Sequence, residues 1–170
     1  MIVYRTDDHK KLEIAKKYFK KPIINGLSDY SHPCQAISDI FTLKEYFDNL
    51  DEITISWFGD LNNVLFSLCE AAQLLGNINL NIFTDENIYK EKRDIFSFKN
   101  LNFYFDINSD ILSKSNCVMT DVYTSMNDKD ESKENLLKKF QVNSKIMSQT
   151  DDKTIFMHCL PANIGSEVTE

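Results

Sequence analysis

At 170 residues the chain is long enough for one domain, or for one domain and part of a second, with a sizeable buried core. Hydrophobic residues make up 42% and charged residues 26%, with only 4 Gly and 3 Pro, which excludes collagen-like, low-complexity and wholly disordered chains. A net charge of -7 leaves no uniform positive field to gather polyanions, so nucleic acid is not an expected partner. No apolar run approaches the ~20 residues that span a bilayer, and Met-Ile-Val-Tyr-Arg-Thr-Asp-Asp is no signal peptide. No membrane partner and a cytoplasmic location are therefore expected. Cys34, Cys69, Cys117 and Cys159 are widely spaced without a CxxC pair and read as reduced thiols.

In chain order, strands are expected at Met1 to Arg5, Pro22 to Ile24, Ile53 to Phe58, Asn79 to Phe83, Leu101 to Phe105, Cys117 to Val122 and Thr154 to Cys159. Between the first two, Asp7 to Phe19 places Leu12, Ala15 and Phe19 on one helical face and leaves Lys10, Lys16 and Lys17 to solvent. Pro33 suits the first position of a helix capped by Ser31 or His32, whose apolar stripe is Ile37, Ile40, Phe41 and Tyr46. Asn62 to Leu75 is almost wholly apolar, so it reads as a buried helix closed by a left-handed Gly76. Asn127 to Lys139 is the most polar stretch and reads as a surface loop leading into an exposed helix. Alternating βα units predict an α/β fold whose parallel sheet is covered on both faces.

Four places bring chemistry to strand or helix ends. In Ser31-His32-Pro33-Cys34-Gln35 the helix start turns His32 and Gln35 to one side, beside free amides that favour an anion, or else His32 only caps the helix. Trp57-Phe58-Gly59-Asp60-Leu61-Asn62-Asn63 runs from strand through a Gly turn into a helix, where open α/β sheets bind ligands. Without the three glycines of a dinucleotide fingerprint it implies no nicotinamide cofactor. Asp121 ends the sixth strand with a carboxylate suited to an ammonium group, or to capping a helix. His158-Cys159-Leu160-Pro161 sets a thiol at the end of the last strand. Adjacent strand residues point to opposite faces, so His158 and Cys159 do not form a nucleophile pair. Nor do His32, Cys34, His158 and Cys159 have the spacing of a structural zinc site, and no metal is expected.

Taken in order, Ile24-Asn25-Gly26-Leu27-Ser28-Asp29, His32-Pro33-Cys34-Gln35, Gly59-Asp60-x-Asn62-Asn63, Thr120-Asp121-Val122, Ser125-Met126, Phe140-Gln141-Val142-Asn143 and His158-Cys159-Leu160-Pro161-Ala162 resemble the aspartate/ornithine carbamoyltransferase family over nearly the whole chain. Ser125-Met126 is the pattern of its ornithine-using branch. The resemblance implies a Rossmann-like three-layer αβα fold with a mainly parallel sheet, plus the end of a second α/β domain at the N-terminus. Residues 1–47 would be the end of a carbamoyl phosphate domain with an interdomain helix, and 48–170 most of an ornithine domain, the chain being truncated at both ends. It further implies synthesis of citrulline and phosphate from carbamoyl phosphate and ornithine, a step of arginine metabolism, with no cofactor and no metal.

By the resemblance, Arg5, His32 and Cys159 are the catalytic residues. Arg5, His32, Gln35, Cys159 and Leu160 hold carbamoyl phosphate, and Asn63, Asp121, Ser125 and Met126 hold ornithine. The family is homotrimeric through the domain of which little is present here. Its Ser-Thr-Arg-Thr-Arg phosphate-binding run does not occur in these 170 residues, Leu61 stands where Gly is usual, Tyr123 where Trp is usual, and Asn163-Ile164 where His-Arg is usual. The alternative expectation is a catalytically inactive remnant, an amino-acid-binding module that keeps a weak ornithine pocket.

Overall fold

The computed structural model describes residues 1–124 and 131–170. Strand β1 (Ile2–Arg5) pairs in parallel with β2 (Ile23–Leu27), and the two form a small sheet. Their crossover is α1 (His9–Tyr18), started by Asp8, whose side chain accepts the Lys10 N–H. Leu12 is its buried residue, while Phe19, expected on the same face, serves as the C-cap and is exposed. From the small sheet α2 (Pro33–Phe47) leads onward, with Pro33 in its first turn as expected.

The inward face of α2 differs from the expected stripe. Ile37 is 69% exposed, Phe41 59% and Tyr46 58%, and the buried residues are Ala36, Asp39 and Leu43. Ala36 is small and Leu43 is enclosed by the core, so α2 lies close against its neighbour α3 (Asn63–Leu75). The larger apolar side chains are turned outward.

The main sheet holds β3 (Ile53–Phe58), β4 (Ile78–Phe83), β5 (Leu101–Tyr104), β6 (Cys117–Thr120) and β7 (Ile155–His158), all parallel, in the order β5-β4-β3-β6-β7. The expected α/β fold is the one observed. In β3 every residue but Thr54 is buried, Ser56 included, as expected of a central strand covered on both faces. The chain first builds outward from β3 to β5 and then returns to lay β6 on the other side of β3. That reversal opens a crevice beyond the carboxyl ends of β3 and β6, the place where open α/β sheets bind ligands.

Helix α3 is buried as expected, capped by Asn62 and closed by Gly76 at φ 81. Shorter helices complete the layers: α4 (Glu86–Lys92), α5 (Ser109–Leu112), α6 (Glu131–Leu137), a 3-10 turn at Lys138–Phe140 and α7 (Ser144–Met147). Of the polar stretch expected to be exposed, residues 127–130 lie outside the described residues. The remainder is anchored, since Leu137 and Phe140 are fully buried. Among the described residues no helix is long and apolar enough to cross a membrane.

Candidate functional site

A cavity of about 830 Å³ opens along the carboxyl ends of both sheets. Arg5 comes from the end of β1, His32 and Gln35 from the start of α2, and Asn63 from the first turn of α3. Asp121 follows β6, and Cys159 and Leu160 follow β7; all seven line the cavity. Three strand ends and two helix starts, far apart in sequence, thus meet at one surface. Ser125 and Met126 lie outside the described residues.

On the small-sheet side, the Arg5 guanidinium makes no hydrogen bond or ion pair among the described residues and faces the cavity. His32 takes the cap position of α2 without capping it. Its backbone N–H donates to Ser67 Oγ at 2.8 Å, and its ring Nδ1 is buried without a partner. Burial, and then the nearby Arg5 charge, lower the His32 pKa against an opposing pull from Asp121, so the ring is neutral at neutral pH. The Gln35 amide donates to Asp39 Oδ1 at 2.9 Å.

Across the cavity, Asp121 gathers three donors. Asn62 Nδ2 reaches Oδ2 at 2.7 Å, while the Val122 N–H at 2.7 Å and the Cys159 thiol at 2.9 Å both reach Oδ1. A carboxylate offers about four acceptor positions, so one remains on the Oδ2 side. Burial first, and then the Asp121 charge, push the Cys159 thiol far above its ordinary range. Cys159 is therefore a hydrogen-bond donor here and not a ready thiolate.

Asn63 lines the cavity, but its amide donates to the Ser28 carbonyl at 2.6 Å and so ties α3 to the end of β2. Its neighbour Asn62, which sequence reasoning passed over, does two jobs: Oδ1 caps α3 through the Val64 and Leu65 N–H groups, and Nδ2 holds Asp121. Also unforeseen is Asp60, buried at the cavity wall. It takes Lys92 Nζ at 3.1 Å and Lys133 Nζ at 2.6 Å, and Lys92 adds a bond to the Leu61 carbonyl at 2.8 Å. Only a lone acidic letter in the β3–α3 turn signals it.

The turn after β7 is held by Glu167, which is fully buried. Its Oε1 accepts from His158 Nε2 at 3.2 Å and from the Asn163 N–H at 2.5 Å, while His158 Nδ1 accepts the Leu160 N–H at 2.8 Å. Burial would raise the Glu167 pKa, and the bonds from His158 and Asn163 outweigh it and lower it. Because His158 Nδ1 accepts the Leu160 N–H, Nε2 is the ring nitrogen that donates to Glu167. Ligand atoms of Asp121, His158 and Cys159 lie within 4.8 Å of one another, yet both His158 nitrogens are already engaged. A metal there would have to break one of those bonds.

Two family models match this chain: the carbamoyl-P binding domain of aspartate/ornithine carbamoyltransferase over residues 1–45, and the Asp/Orn binding domain over residues 51–170. The chain belongs to the aspartate/ornithine carbamoyltransferase family. In that carbamoyltransferase frame, Arg5, His32 and Gln35 fall in the carbamoyl-P match, and Asn62, Asp121 and Cys159 in the Asp/Orn match, so the cavity lies between the two matched segments. Among the relatives, an ornithine carbamoyltransferase of Rhodopseudomonas palustris is 40% identical over 174 residues, covering 100% of this chain and 56% of its own length. One from Methanococcus vannielii is 37% identical over 183 residues, covering 100% of this chain and 59% of its own. Among solved structures, the ornithine carbamoyltransferase of Thermus thermophilus superposes with a TM-score of 0.83 at 31% identity, over 99% of this chain and 55% of that one. The anabolic enzyme of Campylobacter jejuni gives 0.84 at 30% identity, over 99% and 58%. The chain spans about half the length of the curated carbamoyltransferases it matches.

Proposed function

We propose that this chain carries the ornithine side and part of the carbamoyl side of an ornithine carbamoyltransferase site, serving carbamoyl phosphate + L-ornithine to L-citrulline + phosphate. One observation carries the reading. Asp121 keeps an open acceptor position beside Cys159, and the facing wall of the same cavity offers the unengaged Arg5 guanidinium and a neutral His32.

The chemistry needs those groups in that arrangement. The neutral side-chain amine of ornithine attacks the carbamoyl carbon, a C–N bond forms, the C–O bond to phosphate breaks, and the proton shed by the amine leaves with phosphate. Arg5 and His32 donate to the carbonyl oxygen as it gains charge. The Leu160 backbone is fixed beside it by the His158–Glu167 pair. Asp121 and Cys159 hold the amino-acid end, with Asn63 and, outside the described residues, Ser125 and Met126 completing its grip. Fixing amine and carbamoyl carbon together supplies rate through lost freedom that need not be given up again in the reaction. We place the reaction in the cytoplasm, where four free cysteines stay reduced.

A second reading, an amino-acid-binding module without turnover, is favoured by the few cations the cavity offers, since Lys92 and Lys133 are paired with Asp60 and Arg5 is the one lining Lys or Arg with no ion pair among the described residues. A doubly charged phosphate needs several charge-assisted donors. The test is calorimetric titration with ornithine, followed by a citrulline assay with both substrates. Ornithine is expected to bind, and Asp121→Asn to weaken binding about 10- to 100-fold through loss of a charged hydrogen bond. Binding without citrulline supports the module, and no binding at all sinks both readings.

A further inference from the structure

Asp39 stands one turn beyond Gln35 on α2 and is only 4% exposed. Its Oδ1 accepts from Gln35 Nε2 at 2.9 Å, and its Oδ2 is buried with no partner. An ionised carboxylate has no hydrogen to give, so the Gln35 amide can meet it only through its NH2 group. The amide plane is thereby set, and Oε1, which has no hydrogen bond among the described residues, is left as the atom that can serve the cavity Gln35 lines.

We infer that Asp39 is a positioning residue that turns the Gln35 amide oxygen to the cavity and makes that corner select a carbonyl group bearing N–H over one bearing methyl. The inference rests on the proposed function and adds to it the device that would tell a carbamoyl group from an acetyl group. A site that offers an acceptor to an N–H leaves that acceptor unpaired when methyl takes its place, and the penalty falls on the wrong ligand.

The surroundings of Asp39 make the device sensitive to pH. Besides Gln35 on its own helix, the titratable groups that act on it are Asp121 after β6, Cys117 within β6 and Cys159 after β7. No cation bonds to it among the described residues. Burial, reinforced by Asp121 and opposed by the Gln35 bond, pushes the carboxyl up to about 6. Below that pH a protonated Asp39 can donate to Oε1, which frees the amide to turn over and present NH2 to the cavity.

The experiment uses the whole chain with nitrogen-15 label and follows the Gln35 side-chain NH2 signals from about pH 4.5 to about pH 8. A single step near pH 6 is expected in the wild type, and no step in Asp39→Asn. At the upper end of that range, phosphonoacetamide and acetonylphosphonate, which differ only in NH2 against CH3, are then titrated separately. The amide probe is expected to bind about tenfold more tightly, and Asp39→Asn to erase the preference. Gln35 signals that stay flat across the range, or a preference that survives in Asp39→Asn, would overturn the inference. If neither probe binds, the carbamoyl side of the proposed function fails, and the amide titration of the unmutated chain still decides whether Asp39 sets Gln35.

Discussion

A thiol 2.9 Å from a carboxylate oxygen meets it by donating S–H, so Cys159 and Asp121 hold each other in one protonation pattern. Burial is the larger cause of the raised thiol pKa and the Asp121 charge the next. A raised pKa means a smaller thiolate fraction at any given pH, and the thiolate is the form that alkylates. Asp121→Asn removes the negative charge and keeps the burial, so the pKa falls part of the way back. Alkylation of Cys159 by iodoacetamide near pH 8.5 is expected to quicken about tenfold, the effect of roughly one pKa unit. Cys69 and Cys117, both buried in the core, should stay slow and serve as internal references when the sites are mapped by mass spectrometry. An unchanged Cys159 rate in the variant would show that Asp121 does not control the thiol.

Among elements, the turn from β3 into α3 carries the most constraint. Gly59 has φ 125, and a Cβ there would lie 3.0 Å from the ring of Tyr123, which is itself buried. Gly76 has φ 81 at the other end of the same helix, with nothing within 4 Å of the added atom. Both positions strain an L side chain, but only the first also overpacks. Gly59→Ala is therefore expected to cost about 2–4 kcal/mol and Gly76→Ala about 1 kcal/mol, read as urea midpoints at unchanged slope. Equal losses would mean that Tyr123 simply moves aside. Helix caps of this kind are what the amino-acid letters show best, and all seven strands were legible because each is a short apolar run between helical segments. The face of α2 was not. Ile37, Phe41 and Tyr46 have helical spacing, but periodicity shows only that a face exists, and packing chose the Ala36–Leu43 side. The site followed the same division: Asp121 and Cys159 are legible as polar residues at strand ends, whereas Arg5 stands out only through the family resemblance. Asn62 could not be told from Asn63, and Asp39, Asp60 and Glu167 take meaning only from partners that the fold delivers.

For the molecule as a whole, the small sheet is the part least able to bury its own apolar surface. A parallel pair is normally covered on both faces, yet Val3 is 62% exposed, Tyr18 is 84% exposed, and Ile24 and Phe19 also reach solvent. Between α1 and the sheet lies a groove of about 270 Å³ lined by Ile2, Tyr4, Ala15, Tyr18, Phe19 and Ile23. Both outer edges of the pair lack a strand neighbour among the described residues, which leaves backbone donors and acceptors beside apolar side chains. Contiguous apolar surface with open edges favours association, and a net charge of -7 opposes it only weakly once salt screens beyond about 10 Å. The isolated chain is accordingly expected to show an apparent mass that rises with concentration in light scattering. Replacing Val3 and Ile24 together by Lys should lower that rise, because paired register places Val3 directly beside Ile24 and two ammonium groups there would repel a second apolar surface. A clean monomer over the whole range would mean that the small sheet tolerates its exposure. A rise unaffected by the double substitution would move the sticky surface to the outward face of α2, where Ile37 and Phe41 are the next side chains to change.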